Sequence, residues 1–209
     1  MMSKEGSLAY LEGLFATRPA LKNTFRLHFL ENHEDFLGCL HNDLEQIITD
    51  MQERKQFYFD KSEDELSNHI LFGLRQKQYD AEHEPSIGGH CDLVVRSPCR
   101  QYLWLGEAKL DRGPEWINQG FEQLCNRYST GEPSQDVGGL LIYCRGMKST
   151  KILQNWRAKL RSRSLEDFKD WDCPLKKHLS FYSSHTLPST GLPYTIRHRV
   201  VTLHFNPTV

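Results

Sequence analysis

Residues 87–110 read IGGHCDLVV (Ile87–Val95), RSPCRQ (Arg96–Gln101) and YLWLGEAKL (Tyr102–Leu110). The outer runs are dominated by valine, leucine and aromatic side chains, and the proline in the link breaks the first strand, so the segment reads as a β-hairpin. Charged residues are rare inside such apolar runs, yet these two carry Asp92, Glu107 and Lys109. Side chains alternate along a strand, so Glu107 and Lys109 share one face. With the turn centred near Cys99–Arg100, antiparallel pairing puts Asp92 opposite or diagonal to Glu107. Two carboxylates and one ammonium then converge on a single spot.

That convergence has a chemical consequence. Two neighbouring carboxylates repel, and one is driven toward protonation unless a cation intervenes. A hard divalent ion such as Mg²⁺ (or Mn²⁺) takes oxygen ligands and keeps several waters. It can polarise a phosphate and acidify a bound water, while a lysine beside it orients or helps deprotonate that water and offsets charge developing on phosphorus. His90 shares the Asp92 face and is placed to hydrogen-bond to it.

Upstream of the hairpin, Ser62 followed three residues later by Glu65 is a capping box, opening a helix to about Gln76 with Leu66, Ile70 and Leu74 inward. Before it, residues 34–54 place Leu37, Leu40, Leu44, Ile47 or Ile48 and Met51 at helical steps. That stripe packs on the domain or on a second subunit. Downstream, Pro114 begins a helix with Ile117, Phe121, Leu124 and Tyr128 on one side. VGGLLIYC (Val137–Cys144) reads as a buried strand, a basic helix follows from about Thr150 to Arg161, and HLSFYS and IRHRVVTLHF are strand-like. The order is helix, two or three antiparallel strands, helix, strand, helix, strands. It predicts an α/β (α+β) class with a mixed central sheet flanked by helices.

The 209 residues carry 26 Lys+Arg and 27 Asp+Glu, a formal charge of −1. This suits one domain, with or without an appended subdomain, and excludes a disordered chain. No apolar run approaches the roughly 18 residues of a membrane span, and the first residues lack a signal-peptide pattern. Cysteines 39, 91, 99, 125, 144 and 173 form no Cys-x-x-Cys pair, so a zinc knuckle is not expected and a cytoplasmic, reducing location is. Charge is unevenly spread. Met1 to Glu65 holds thirteen acids and seven bases, whereas Arg145 to Arg163 holds seven bases and no acid. That basic stretch, with Arg157, Lys159 and Arg161, reads either as a phosphate-binding surface or as a solvated helix face.

The spacing of Asp92, fourteen intervening residues, then Glu107-Ala108-Lys109 resembles the PD-(D/E)XK nuclease superfamily, which has a restriction-endonuclease-like core. The resemblance covers roughly residues 60–145, with Cys91 where the family name has proline. It implies an N-terminal helical extension at residues 1–60 and a nuclease-like domain at 61–209. By the same resemblance, Asp92, Glu107 and the Ala108 carbonyl bind Mg²⁺ or Mn²⁺, and Lys109 positions the attacking water. The preceding helix supplies a further acid, Glu65, unless that residue serves only its capping box. Gln123, with Gln119 four residues before it, faces the site from the following helix. The activity implied is a Mg²⁺-dependent phosphodiesterase, with a DNA endonuclease of restriction, repair or antiviral defence favoured over an RNA-cleaving one. Double-strand cleavage would imply a homodimer or a partner protein. The alternative is a catalytically silent nucleic-acid-binding or scaffold module with the same fold inside a larger complex.

Overall fold

Two side-chain caps fix the long helices. A computed structural model describes residues 10, 13–84, 90–146 and 148–206. Asn32 accepts a hydrogen bond from the Asp35 N–H, and Ser62 and Glu65 complete a reciprocal capping box. With α1 as Pro19–Leu27, these caps open α2 (His33–Glu53) and α3 (Glu63–Gln76). The buried stripe of α2 is Phe36, Cys39, Leu40, Leu44, Ile47, Ile48 and Met51. Leu37 is only partly buried, so the stripe begins one residue earlier than the leucine spacing suggested.

The remaining elements are β1 (Asp80–Glu84), β2 (Cys91–Arg96), β3 (Leu103–Leu110), α4 (Pro114–Gln123), a single π-helical turn (Leu124–Tyr128), β4 (Val137–Cys144), α5 (Ser149–Arg161), β5 (Lys169–Asp172), β6 (Ser180–Thr186) and β7 (Pro193–Thr202). The strands form one seven-stranded sheet in the order β1-β2-β3-β4-β7-β6-β5. β3, β4 and β7 run parallel, and the outer pairs are antiparallel. This is the mixed sheet flanked by helices that the element order predicts. The expected start of the first hairpin strand at residues 87–89 lies outside the described residues, as do residues 1–9 of the N-terminal extension and Met147 of the basic stretch.

Alternation along the strands divides the interior into two layers. Leu93, Val95, Trp104, Ala108, Leu141, Tyr143 and Val201 pack with α2 and α3. Val94, Leu105, Leu140, Ile142, Ile196 and Val200 pack with α4, α5 and the π turn. A fully buried leucine or valine in either layer contributes roughly 2 kcal/mol. β7 also carries charge into the first layer: Arg197 and Arg199 are buried and both bind Glu45 of α2. The two edge strands, DAEHE and KDWD, are polar, which discourages pairing with another chain. Among the described residues, no helix is long and apolar enough to cross a membrane.

Candidate active site

The site is built where β2 is irregular. Glu82 pairs with Val94 and Glu84 with Cys91, so Asp92 and Leu93 together oppose the single residue His83. This is a β-bulge, which bends a strand and re-aims a side chain. On the other edge of β2, Leu93 pairs with Gly106, and the next pair in that register is Asp92 with Glu107. Regular pairing stops at Leu93, and the Asp92 Oδ2 accepts the Ala108 N–H at 2.9 Å. His83 Nε2 lies 3.7 Å from Asp92 Oδ1. The Ala108 side chain itself is buried in the opposite layer, toward α2 and α3.

Glu107 and Lys109 share the face under α4, and both are buried. Lys109 Nζ donates to Glu107 Oε1 at 2.6 Å and stands 3.5 Å from Glu63 Oε1. α4 passes over Lys109 at Gly120, where a Cβ would come within 2.9 Å of Lys109 Cγ; glycine gives the lysine stem its room. Burial and then the Asp92 charge push the Glu107 carboxyl up to about 8, against the opposing pull of Lys109. For Lys109, burial alone would lower the pKa, but Glu107, with Glu63 and Asp92, outweighs it and holds the ammonium above its usual range. The second carboxylate oxygen, Glu107 Oε2, is buried and has no hydrogen-bond partner.

A cleft of about 580 Å³ opens in front of Lys109. Trp116, Gln119 and Gln123 of α4 and Asn126 and Arg127 of the π turn line it. The π turn is tied down by Tyr128, whose hydroxyl donates to the His90 carbonyl at 2.5 Å. The His90 side chain is exposed. Of the residues singled out from the sequence, the structure therefore brings Asp92, Glu107 and Lys109 together, and Gln119 and Gln123 to the cleft that Lys109 borders.

Two expectations are corrected. Glu65 is not at this site: its Oε2 accepts from the Ser62 N–H at 2.8 Å and from the Ser62 hydroxyl at 2.9 Å, and its Oε1 faces Lys61 at 3.3 Å. The acid that α3 does supply is Glu63, whose Oε2 accepts the Leu110 N–H at 2.5 Å while Oε1 faces Lys109. A first-turn side chain points back past the helix start, which brings Glu63 onto β3 while the capping box occupies Glu65.

The three basic residues of α5 are each paired with an acid rather than left unengaged for phosphates. Arg157 binds Asp170 and reaches Asp172 at 2.7 Å, Arg161 binds Asp170 at 2.5 Å, and Lys159 meets Glu115 at 2.7 Å. The acids absent from the stretch itself arrive from β5 and α4. The sequence reading also missed His83, Trp116 and Arg127; nothing in their local spacing marks them.

Among the described residues, no group of three or more His, Cys, Asp or Glu side chains could hold a metal ion. A smaller donor set is present in Asp92 and Glu107, and one or two carboxylates with waters suffice for Mg²⁺. The unpartnered, buried Glu107 Oε2 fits such an ion, because a hard cation would take the oxygen that no hydrogen bond claims. No protein-family model, no curated protein and no solved structure matches this chain.

Proposed function

We propose that the chain is a metal-dependent phosphodiesterase that cleaves nucleic acid, a DNA endonuclease being the favoured form and Mg²⁺ or Mn²⁺ the cofactor. The observation that carries this reading is the Asp92–Glu107–Lys109 group, with the Asp92 carboxylate held on the Ala108 N–H close enough for its charge to act on Glu107, and Glu107 Oε2 left without a partner. A buried carboxyl oxygen with no partner carries a desolvation cost that a bound cation would relieve. Membership of the PD-(D/E)XK superfamily, and with it a role in restriction or antiviral defence, is part of the proposal. A cytoplasmic location is too, and the six cysteines, all free thiols, agree with it.

When bound, a divalent cation supplies neutralisation of the two carboxylates and polarisation of the phosphoryl group. Asp92 and Glu107 would hold it. Lys109 remains protonated, since its acidic neighbours hold the ammonium above its usual range, so it acts by donating hydrogen bonds rather than by taking a proton. In that state it orients the attacking water and offsets the negative charge that develops on phosphorus. Glu63 anchors the lysine from the α3 side, and the carboxamides of Gln119 and Gln123 face the cleft in which the substrate would lie.

The test is incubation of the pure protein with plasmid, linear duplex, single-stranded DNA and RNA in Mg²⁺, Mn²⁺ or EDTA, alongside thermal melts. Cleavage that needs the metal, together with a metal-induced rise in Tm that Asp92→Asn abolishes, supports the reading. A full metal-induced rise in Asp92→Asn, or no rise in the wild type with no cleavage of any substrate, overturns it.

A further inference from the structure

The cleft in front of Lys109 has a chemistry of its own. Trp116 lines it, and its Nε1 is buried without a hydrogen-bond partner. The Arg112 guanidinium lies over one face of the Trp116 ring, 4.8 Å from its centroid, and this cation–π contact fixes the indole from that side. The one acid in the lining, Glu122, is already occupied: Oε1 pairs with Arg163 and Oε2 accepts from Asn126 at 2.6 Å. By contrast, Arg112 and Arg127 have no ion-pair partner among the described residues, and neither Gln119 nor Gln123 is committed to a hydrogen bond there. The contents of the cleft are thus an indole, unengaged carboxamides and, in Arg127, a positive charge without an ion-pair partner among the described residues.

We infer that this cleft is a subsite for one unpaired nucleotide of a single strand, its base against Trp116, its edge met by Gln119 and Gln123, and its phosphate by Arg127. The inference rests on the phosphodiesterase reading and narrows it to substrates with an unpaired nucleotide beside the scissile bond. The physical reason is stacking. Inside a duplex both faces of a base are covered by neighbouring bases, and an indole in a recess reaches only a base that is unstacked. A base–aromatic contact tolerates any base, whereas amides that meet the base edge add preference.

The experiment is a fluorescence titration in EDTA, where the metal-dependent cleavage of the parent reading is off. It uses the full chain carrying Trp171→Phe; Trp104 and Trp156 are buried, so quenching then reports on Trp116. The probes are a short oligothymidine, a duplex of the same length and free thymidine monophosphate. Quenching by the oligothymidine is expected, with duplex binding weaker and the mononucleotide a poor competitor. In a binding assay with labelled oligothymidine, Trp116→Ala should lose roughly tenfold or more in affinity, and Trp116→Phe, which keeps a ring, should recover most of it. Arg127→Gln should weaken binding and reduce its salt dependence. Equal binding of duplex and single strand with no effect of Trp116→Ala overturns the inference, and so does a mononucleotide that binds as tightly as the strand, which would make this a small-molecule pocket. Expected binding from a wild type that never cleaves in Mg²⁺ or Mn²⁺ would sink the phosphodiesterase reading alone. Metal-dependent cleavage of duplex with no quenching would sink the subsite alone.

Discussion

Buried charge appears at two places on this sheet, and the two are finished differently. Under α2, Glu45 receives Arg197 Nη2 at 2.5 Å and Arg199 through Nε and Nη2 at 2.9 Å each, so both carboxylate oxygens are taken. Burial alone would raise the Glu45 pKa, but the Arg199 and Arg197 contacts outweigh it and hold the carboxyl below the ordinary range. Under α4, Glu107 has one lysine, a second carboxylate across the hairpin, and an oxygen with nothing on it; its carboxyl rises to about 8. Burial is common to both. What separates them is whether each carboxylate oxygen has a partner. A closed cluster holds two elements together, and an open one has capacity left for a ligand.

The largest effect should come from breaking the closed cluster. Glu45→Ala strands two guanidinium groups in the interior, and the expected loss is roughly 3–5 kcal/mol in urea denaturation. A loss below about 1 kcal/mol would mean that the arginines find other partners and that the contrast is overstated. The open cluster should answer in turnover instead. Lys109→Ala is expected to lower the single-turnover rate about 100-fold or more while metal and substrate affinity change little; a wild-type rate would remove Lys109 from the mechanism. Titration sharpens the comparison further. Glu107 keeps its proton in the folded protein up to about pH 8, against 4.5 in an unfolded chain, so the stability it contributes is complete below about 4.5 and is lost as pH rises to about 8. Without metal, Glu107→Gln should therefore gain on the wild type across that window, by at most about 1.4 kcal/mol per pH unit. Glu45 has the opposite sign, because its lowered pKa makes its contribution disappear as pH falls. The smallest effect is expected on α5: with Arg157, Lys159 and Arg161 all changed to Gln, the salt dependence of nucleic-acid binding should stay the same. A slope shallower by one unit or more per residue would return these residues to the phosphate interface.

The hairpin was legible because its signals are local: two apolar runs, a proline link and three charges that the strand period puts on known faces. The same period put Asp92 opposite or diagonal to Glu107, and the structure holds the Asp92 carboxylate on the Ala108 N–H beside it. What escaped was decided at a distance or by competition. Glu63, Asp64 and Glu65 are adjacent acids, and spacing favoured the one that its cap had already claimed. The α5 bases look free in sequence because Asp170, Asp172 and Glu115 reach them only through the fold. β1 and β5 lack the alternation of a half-buried strand because they are edges, where polarity is the useful property. Trp116 follows no periodic rule, and its place in the cleft emerges only when α4 lies over β3.

The bulge in β2 makes the position of Asp92 a matter of counting. In a regular strand a single-residue deletion flips every following side chain through the sheet. Here Asp92 and Leu93 already oppose one residue of β1, so removing either would even the pairing with β1, while on the other edge removing Leu93 would take away the partner of Gly106. The carboxylate that accepts the Ala108 N–H would be gone, or turned to the other layer. Along this stretch the spacing between the two edges of β2 is as much a part of the site as the residues it carries, and insertions or deletions should be tolerated less well than changes of side chain.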